Sequence, residues 1–354
     1  MKYIFTFFFF ILSVSTSLGQ CNQLTKAVKS AEKYFDDGNL EEASSQLISI
    51  LKQEGVPYCP IERRKVQLLL TEISLFMNQD SIADIAYKAA LEISPRYKVD
   101  TTLKSIDLYY FSQGYRTIPL FSIRPYLGIN NYDFNNFDYF PVPDAANRYN
   151  VSIDDTSANL RTTDLGYNVG LQASWHPITF LEVSLGVAYS IKNIDIEKFI
   201  GVKTLSLREN QNWISIPVLA RINLAHQDVI PKIITGIEYS YLVNATLSET
   251  ANGNIISNND KVNINSLRNR YHYAYVLGIG SDFRFSRINR NYFSIEIKYS
   301  NQRTALVNAG NRYNNPVTLF GLGYVDDDIP IGTHHLELSI GLSITKYQVQ
   351  KIKR

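Results

Sequence analysis

From about Thr117 onward, apolar residues recur at every second position. In Leu336–Thr345, LELSIGLSIT, each even position is aliphatic and each odd one is Glu, Ser, Gly or Thr. Seven earlier stretches follow the same rule: Phe121–Ile129, Leu165–Trp175, Leu181–Tyr189, Ile214–Leu224, Ile233–Val243, Tyr273–Phe285 and Phe293–Tyr299. A period of two belongs to strands whose faces meet different surroundings. Between Asn22 and Ser112 the spacing is instead that of helices, with the change near Gly114–Pro119.

The connections give the strands an arrangement. Tight turns at His176-Pro177, Ala225–Asp228 and Arg287–Asn289 alternate with long polar connections at 131–162, 192–211, 247–269 and 302–332. Short turns alternating with long loops on an even strand count is the layout of an outer-membrane barrel. A soluble sandwich alternates too, but in hydrocarbon a sheet with open edges would leave its backbone polar groups unpaired, so a membrane sheet must close. Aromatic residues support two interfaces: Trp175, Phe180, Phe283, Phe285, Tyr292 and Phe293 near the short turns, and Tyr239, Tyr241, Tyr271 and Tyr273 toward the loops. An even count puts the helical part and the C-terminus on one side, expected to be the periplasm.

The polar faces carry Arg124, Arg221, Lys232, Arg284 and Lys298 against Glu182, Glu238, Asp282, Glu296 and Glu337. Eight strands leave an interior just wide enough for side chains to fill, and confined charge is costly unless paired. The balance predicts a self-neutralising network; a polar ion path is the alternative.

In the helical part, Ala31, Tyr34, Gly38, Ala43, Leu47 and Ile50 precede Pro57, and Ala83, Tyr87 and Ala90 precede Pro95. Small residues let paired helices approach, an aromatic or Leu fills the groove, and Pro ends the second helix. Both segments resemble the tetratricopeptide repeat, with an unrelated small helical bundle as the alternative. Ala43 and Ala83 are 40 positions apart, so the link around Glu54–Tyr58 carries an insertion relative to that family's period. A third helix, Thr102–Ser112, is expected to cap the stack. Cys21 and Cys59, the chain's 2 cysteines, each precede the first helix of a repeat. Their placement at one edge of the stack points to a Cys21–Cys59 disulfide; lipidated Cys21 or two free thiols are the alternatives.

The N-terminus reads as a secretory signal peptide: Lys2, an apolar run to Val14, then small residues through Ser17 and Gly19. Net charge is +2 over 354 residues, which offers no basic platform for nucleic acid. Two cysteines are too few for structural zinc, no Walker, dinucleotide or zincin motif occurs, and no cofactor is expected. His176 and His226 fall in turns and read as exposed. His272, His334 and His335 lie near the loop rim, with Asp326, Asp327 and Asp328 nearby. A rim hydrolase would need several of these together, yet adjacent strand residues face opposite ways, so surface histidines are the simpler reading.

Residues 118–348 resemble the small outer-membrane β-barrels of the porin-family, PorT-like type found in Bacteroidota-type envelopes. The chain departs from that pattern at its end, where the basic tail Lys346–Arg354 follows the last strand and Tyr347 stands nearest to a terminal aromatic residue. The expected organisation is a signal peptide at 1–19, a periplasmic all-α repeat domain at 20–114, an eight-stranded antiparallel transmembrane barrel at 118–348 and a periplasmic tail at 349–354. The expected function is non-enzymatic: a barrel among outer-membrane lipids anchors a module whose residues 22–112 hold a periplasmic or outer-membrane protein of an assembly, export or uptake complex. The first long loop, NNYDFNNFDYFPVPDAANRYN, mixes amides and aromatics suited to an extracellular partner or glycan. A narrow solute channel and a rim hydrolase are the competing readings.

Overall fold

The computed structural model describes residues 21–53, 59–100, 105–135, 159–200, 203–225, 228–251, 254–255, 261–284, 291–308, 311 and 332–352. It divides into two compact units, one built on the helices and one on the strands.

In the helical unit, α1 (Asn22–Asp36) and α2 (Leu40–Lys52) form one hairpin, and α3 (Pro60–Phe76) and α4 (Asp80–Ile93) a second. The two connections are built alike. Asp37 N bonds Lys33 O, Gly38 N bonds Phe35 O and Asn39 N bonds Tyr34 O; Met77, Asn78 and Gln79 repeat this on Ile73, Leu75 and Ser74. Gly38 and Asn78 supply the left-handed corner, at φ +79° and +56°, a conformation glycine adopts freely and asparagine tolerates. The chain thus repeats a hairpin at the same offset of 40 that separates Ala43 from Ala83.

Ala31, Ala43 and Leu47 are fully buried with Leu24, Val66, Leu69 and Ile73 in one apolar cluster, against which Tyr34 is half-buried. Ala83, Tyr87, Ala90 and Pro95 are buried as well. Cys21 and Cys59 are disulfide-bonded, with Cα atoms 5.9 Å apart, tying the start of α1 to that of α3. The link Glu54–Tyr58 lies outside the described residues. The last helix, α5 (Ile106–Ser112), is shorter than the expected Thr102–Ser112. Ser105 is extended and caps it, its Oγ accepting from Leu108 N, while Ser105 N donates to Glu72 Oε1 at 2.9 Å; Leu103 lies outside the described residues.

The helical unit also takes in the start of the first strand and the end of the last. Tyr115 is buried in one core with Tyr87, Leu91 and Leu108, and Val349 packs against it. Lys88 Nζ lies 2.6 Å from Asp84 Oδ2, Lys351 Nζ lies 3.3 Å from Asp84 Oδ1, and the Tyr115 hydroxyl also donates to Oδ1. Burial works to raise the Asp84 carboxyl, but hydrogen bonds from Lys88, Tyr115 and Lys351 outweigh it and hold its pKa at about 2.

The second unit is a single antiparallel sheet. Its strands are β1 (Tyr115–Asn135), β2 (Asn159–Ile178), β3 (Leu181–Ile200), β4 (Lys203–Asn223), β5 (Val229–Ala251), two-residue β6 (Asn254–Ile255) and β7 (Val262–Asn263), β8 (Tyr271–Arg284), β9 (Asn291–Gln302) and β10 (Gly332–Lys351). The order β4-β3-β2-β1-β10-β9-β8-β5, with β4 also pairing β5, closes the eight long strands into a ring. Close approach fixes Gly236, where a Cβ would lie 2.2 Å from Val218 O, and Gly170, where it would meet the Tyr126 ring at 2.5 Å.

Several expected loops are strand. From Ala188↔Ser215, β3 and β4 pair without a break to Ile200↔Lys203, so 192–211 is a hairpin rather than a loop. β4 and β5 pair to Ser206↔Thr250, and the first loop's opening residues continue β1 to Asn135. The chain stays paired because these extensions enclose apolar residues: Ile194, Leu207, Trp213, Leu242, Ala245 and Leu247 form one buried cluster with Ile264, Leu267, Leu306 and Val307. Side chains alternate as the pattern requires. The even positions Leu336 to Ile344 are 40 to 54% exposed, whereas Glu337 and Ser339 are buried. Trp175, Phe180, Tyr271 and Tyr273 face outward, but Tyr292 is buried inside, because its parity on β9 is that of Glu296 and Lys298. Phe285 lies outside the described residues.

Candidate functional site

The ring's interior gathers most of the charge the alternation placed there. Nearest the short turns, Arg124, Arg221 and Lys232 meet Glu182, Asp282 and Glu296, three cations against three anions. Arg124 lies 2.6 Å from Glu296 and 3.2 Å from Glu182. Arg221 reaches Glu296 at 2.9 Å and Glu182 at 3.4 Å, and donates to Gln172 at 2.5 Å and Ser184 at 2.6 Å. Lys232 contacts Asp282 at 2.6 Å and Glu182 at 3.2 Å. All six are buried, and Ser174 and Ser294 donate to Glu182 and Asp282. Out of water, charges persist only when paired and hydrogen-bonded; the serine, glutamine and doubled carboxylate contacts go most of the way to that condition, leaving Arg124 Nε and Gln172 Nε2 without a partner among the described residues.

One step along the strands, Lys298 pairs with Glu337 at 2.6 Å, its Nζ 5.0 Å from the Tyr126 ring centroid. Two of the ten expected members stand apart. Arg284 pairs at 3.3 Å with Asp228, which is largely exposed, at the turn end. Glu238 accepts from Ser240 Oγ at 3.1 Å, and among the described residues no cation lies within ion-pair distance of it.

Farther along lies a layer the alternating segments did not reveal, since their edges were drawn too short. Lys192 is buried, its Nζ over the Tyr132 ring at 4.2 Å and the Trp213 ring at 4.8 Å. Trp213 Nε1 donates to Gln211, Gln211 Nε2 to Glu209, and Arg268 grips Glu209 with two 2.7 Å bonds, both side chains 1% exposed. Counting by twos from Ser190 to Lys192, and back from Ser215 to Glu209, would have found Lys192, Trp213, Gln211 and Glu209, though not Arg268.

The histidines depart from the surface reading. His176 is buried, with Nε2 3.2 Å from Ser122 Oγ. His272 is buried edge-on to Trp213 at 4.6 Å, and His335 is buried against Tyr132 at 4.6 Å. His334 packs on Tyr299 at 5.7 Å on the outer face, so the two neighbours do part, as alternation demands. Strand residues turn inward by parity whatever their chemistry, which is why these side chains left the surface. His226 and Asp326–Asp328 lie outside the described residues.

A cavity of ≈ 10 Å³ in this layer is lined by Tyr132, Lys192, Ile194, Gln211, Gln302, Leu306 and Thr333, room for about one water. The arrangement can hold charge rigidly. No described helix is long and apolar enough to cross a membrane.

The chain is similar to several solved barrels. Outer membrane protein OprG from Pseudomonas aeruginosa is 10% identical over 65% of this chain and 96% of its own, with a TM-score of 0.35. The attachment invasion locus protein Ail of Yersinia pestis is 13% identical over 64% and 99%, TM-score 0.27, and outer membrane protease OmpT from Escherichia coli 9% over 64% and 96%, TM-score 0.29. No curated protein matches the chain. The family model described as an outer membrane protein beta-barrel domain matches residues 111–301, more than half of the 354, and the chain belongs to that family.

Proposed function

We propose that the barrel is a stoppered transmembrane anchor and that the helical hairpins are the working part, holding a protein partner beneath the outer membrane. The observation that carries this reading is the filled interior: a buried cluster of three cations and three anions, with the apolar cluster of Trp213, Leu242, Leu267 and Leu306 at the far end.

The outer face supports the membrane setting. Alternating outward residues are apolar over nine positions on β3 (Val183–Ile191), β4 (Ile214–Ile222) and β10 (Leu336–Ile344), most of them 38 to 58% exposed. Tilted strands of about 9–11 residues cross a bilayer, and so large an exposed apolar surface is foreign to a soluble monomer. Beyond it, β3 and β4 turn polar on the outside at Asn193, Asp195, Arg208 and Asn210. With eight long strands, both chain ends fall on the short-turn side, read as the periplasm.

The repeated hairpins fit a tetratricopeptide-like stack, and stacked hairpins present surfaces for extended segments or helices. Ile85, Ile106 and Tyr110 stand 63 to 70% exposed on α4 and α5 and are the apolar side chains offered to a partner. The barrel likeness to the PorT-like type of Bacteroidota-type envelopes belongs to the same reading, with residues 20–114, 118–348 and 349–354 as its parts. An extracellular partner or glycan at the long loops is a further expectation.

Cross-linking and co-purification from native membranes tests the proposal. An envelope protein should be enriched with the intact chain and lost from Ile85→Asp and from a chain lacking 22–112; a solitary monomer in all three removes the scaffold role. In planar bilayers the folded protein should stay closed, and steady ionic current would favour the channel instead.

A further inference from the structure

The outer face is not uniform around the ring. On β5, β8 and β9, neighbouring rows bring together Tyr241 and Tyr271, then Tyr239 and Tyr273, with Arg303 N bonded to Tyr273 O at 3.0 Å. Below them Tyr275 is paired with Ile237 and Asn301, and Leu277 with Tyr299. The tyrosines 239, 271, 273, 275 and 299 are 40 to 58% exposed. Arg303 is exposed too, its guanidinium 5.5 Å from the Tyr275 ring centroid, and among the described residues it makes no ion pair. On the other wall the corresponding outward arginine, Arg208, is neutralised by Asp195 at 2.7 Å and flanked by Asp164 at 3.8 Å.

We infer that Arg303, set among these tyrosines, holds the phosphate-bearing headgroup of an anionic lipid at the loop-side border of the barrel. Each part of the patch selects part of such an amphiphile. The exposed guanidinium, already oriented by the Tyr275 face, attracts an anion and can bond it in a fork. Tyrosine pairs an apolar ring with a polar tip, which suits the boundary between head and chain. Beneath it, Leu277, Ile279 and Leu336 are 54 to 62% exposed and offer an acyl chain its apolar track. A tyrosine girdle alone would answer only to the interface; the arginine inside it, which has no ion pair among the described residues, adds the preference for negative charge. A second copy of the chain is the poorer occupant, because a two-fold contact centred there would face Arg303 with Arg303.

The inference rests on the membrane reading above. Native mass spectrometry of the full chain in detergent should show retained dioleoylphosphatidylglycerol, little dioleoylglycerol, and no displacement by millimolar inorganic phosphate. Arg303→Gln should weaken that lipid by about tenfold, the loss of one charge-assisted contact, whereas Arg208→Gln should leave it unchanged. Heat-modifiable mobility in SDS gels confirms that each variant is folded; Tyr275→Leu, which keeps the charge and loses the orienting ring, should weaken binding less than Arg303→Gln. Equal binding by Arg303→Gln, equal retention of the uncharged lipid, displacement by phosphate alone, or lipid-independent dimers would each overturn the site. A chain that never enters bilayers would remove the membrane reading itself, while one that inserts without lipid preference removes this inference alone.

Discussion

Lys298 and Glu337 form an interior pair with no other ion pair among the described residues, 2.6 Å apart and each 6% exposed. Removing one partner leaves the other as an uncompensated charge. Lys298→Met should therefore cost about 3–5 kcal/mol of unfolding free energy, and adding Glu337→Leu should recover most of it. Urea unfolding of the four members of the double-mutant cycle measures this; an additive result would show that the pair is not coupled. Asp84 gives a pH dependence in the helical unit. Its carboxyl is held at about 2, below the unfolded value of about 3.9, so the stability it contributes is complete above pH ~4 and is lost as pH falls toward 2. Helical circular dichroism melts of the intact chain should show that decline, and Asp84→Asn should flatten it. Which residues face inward could be read from parity, as for Arg124 or Glu182. Their partners could not: Arg124 meets Glu296 across 172 positions of sequence, and only ring closure brings them together.

On the proposed membrane reading each barrel strand has its two faces in different surroundings, and substitution should expose the difference. Leu338, 42% exposed on the outer face, should tolerate Ala, whereas Leu338→Arg should cost about 2–4 kcal/mol near the middle of the bilayer. Folding titrations into lipid vesicles check this, and a cost near zero would argue against lipid contact there. The Cys21–Cys59 bridge spans 38 positions and should contribute about 4 kcal/mol by restricting the unfolded chain. Cys59→Ser should lower the helical melt and leave the barrel's heat-modifiable mobility unchanged. Elements inside the apolar belt were legible because apolar residues on the outer face and packed polar groups on the inner one alternate strictly there. Past the belt that contrast disappears. Outward residues become Asn193, Asp195, Arg208 and Asn210, inward ones mix Ile194 with Glu209, and strand then reads as polar loop although the hydrogen-bond ladder continues.

For the chain as a whole, each unit is stabilised by contacts that bring distant segments together. Tyr115 and Val349 enter the helical unit's core from the first strand and the last, and β4 pairs β5 to complete the sheet. Alternation, the helical spacing before Ser112 and the small-residue repeat depend on neighbours in the chain, so the order of residues alone pointed to two kinds of structure, to eight long strands and to the inward side of residues such as Arg124, Glu182 and Glu296, but not to Lys192, Glu209 and Arg268. Closure, the grouping of three cations with three anions, the burial of His272 and His335 and the aromatic seat of Lys192 depend on how far each strand runs and which partner it meets. Those are properties of pairing at long separation, which local periodicity does not encode.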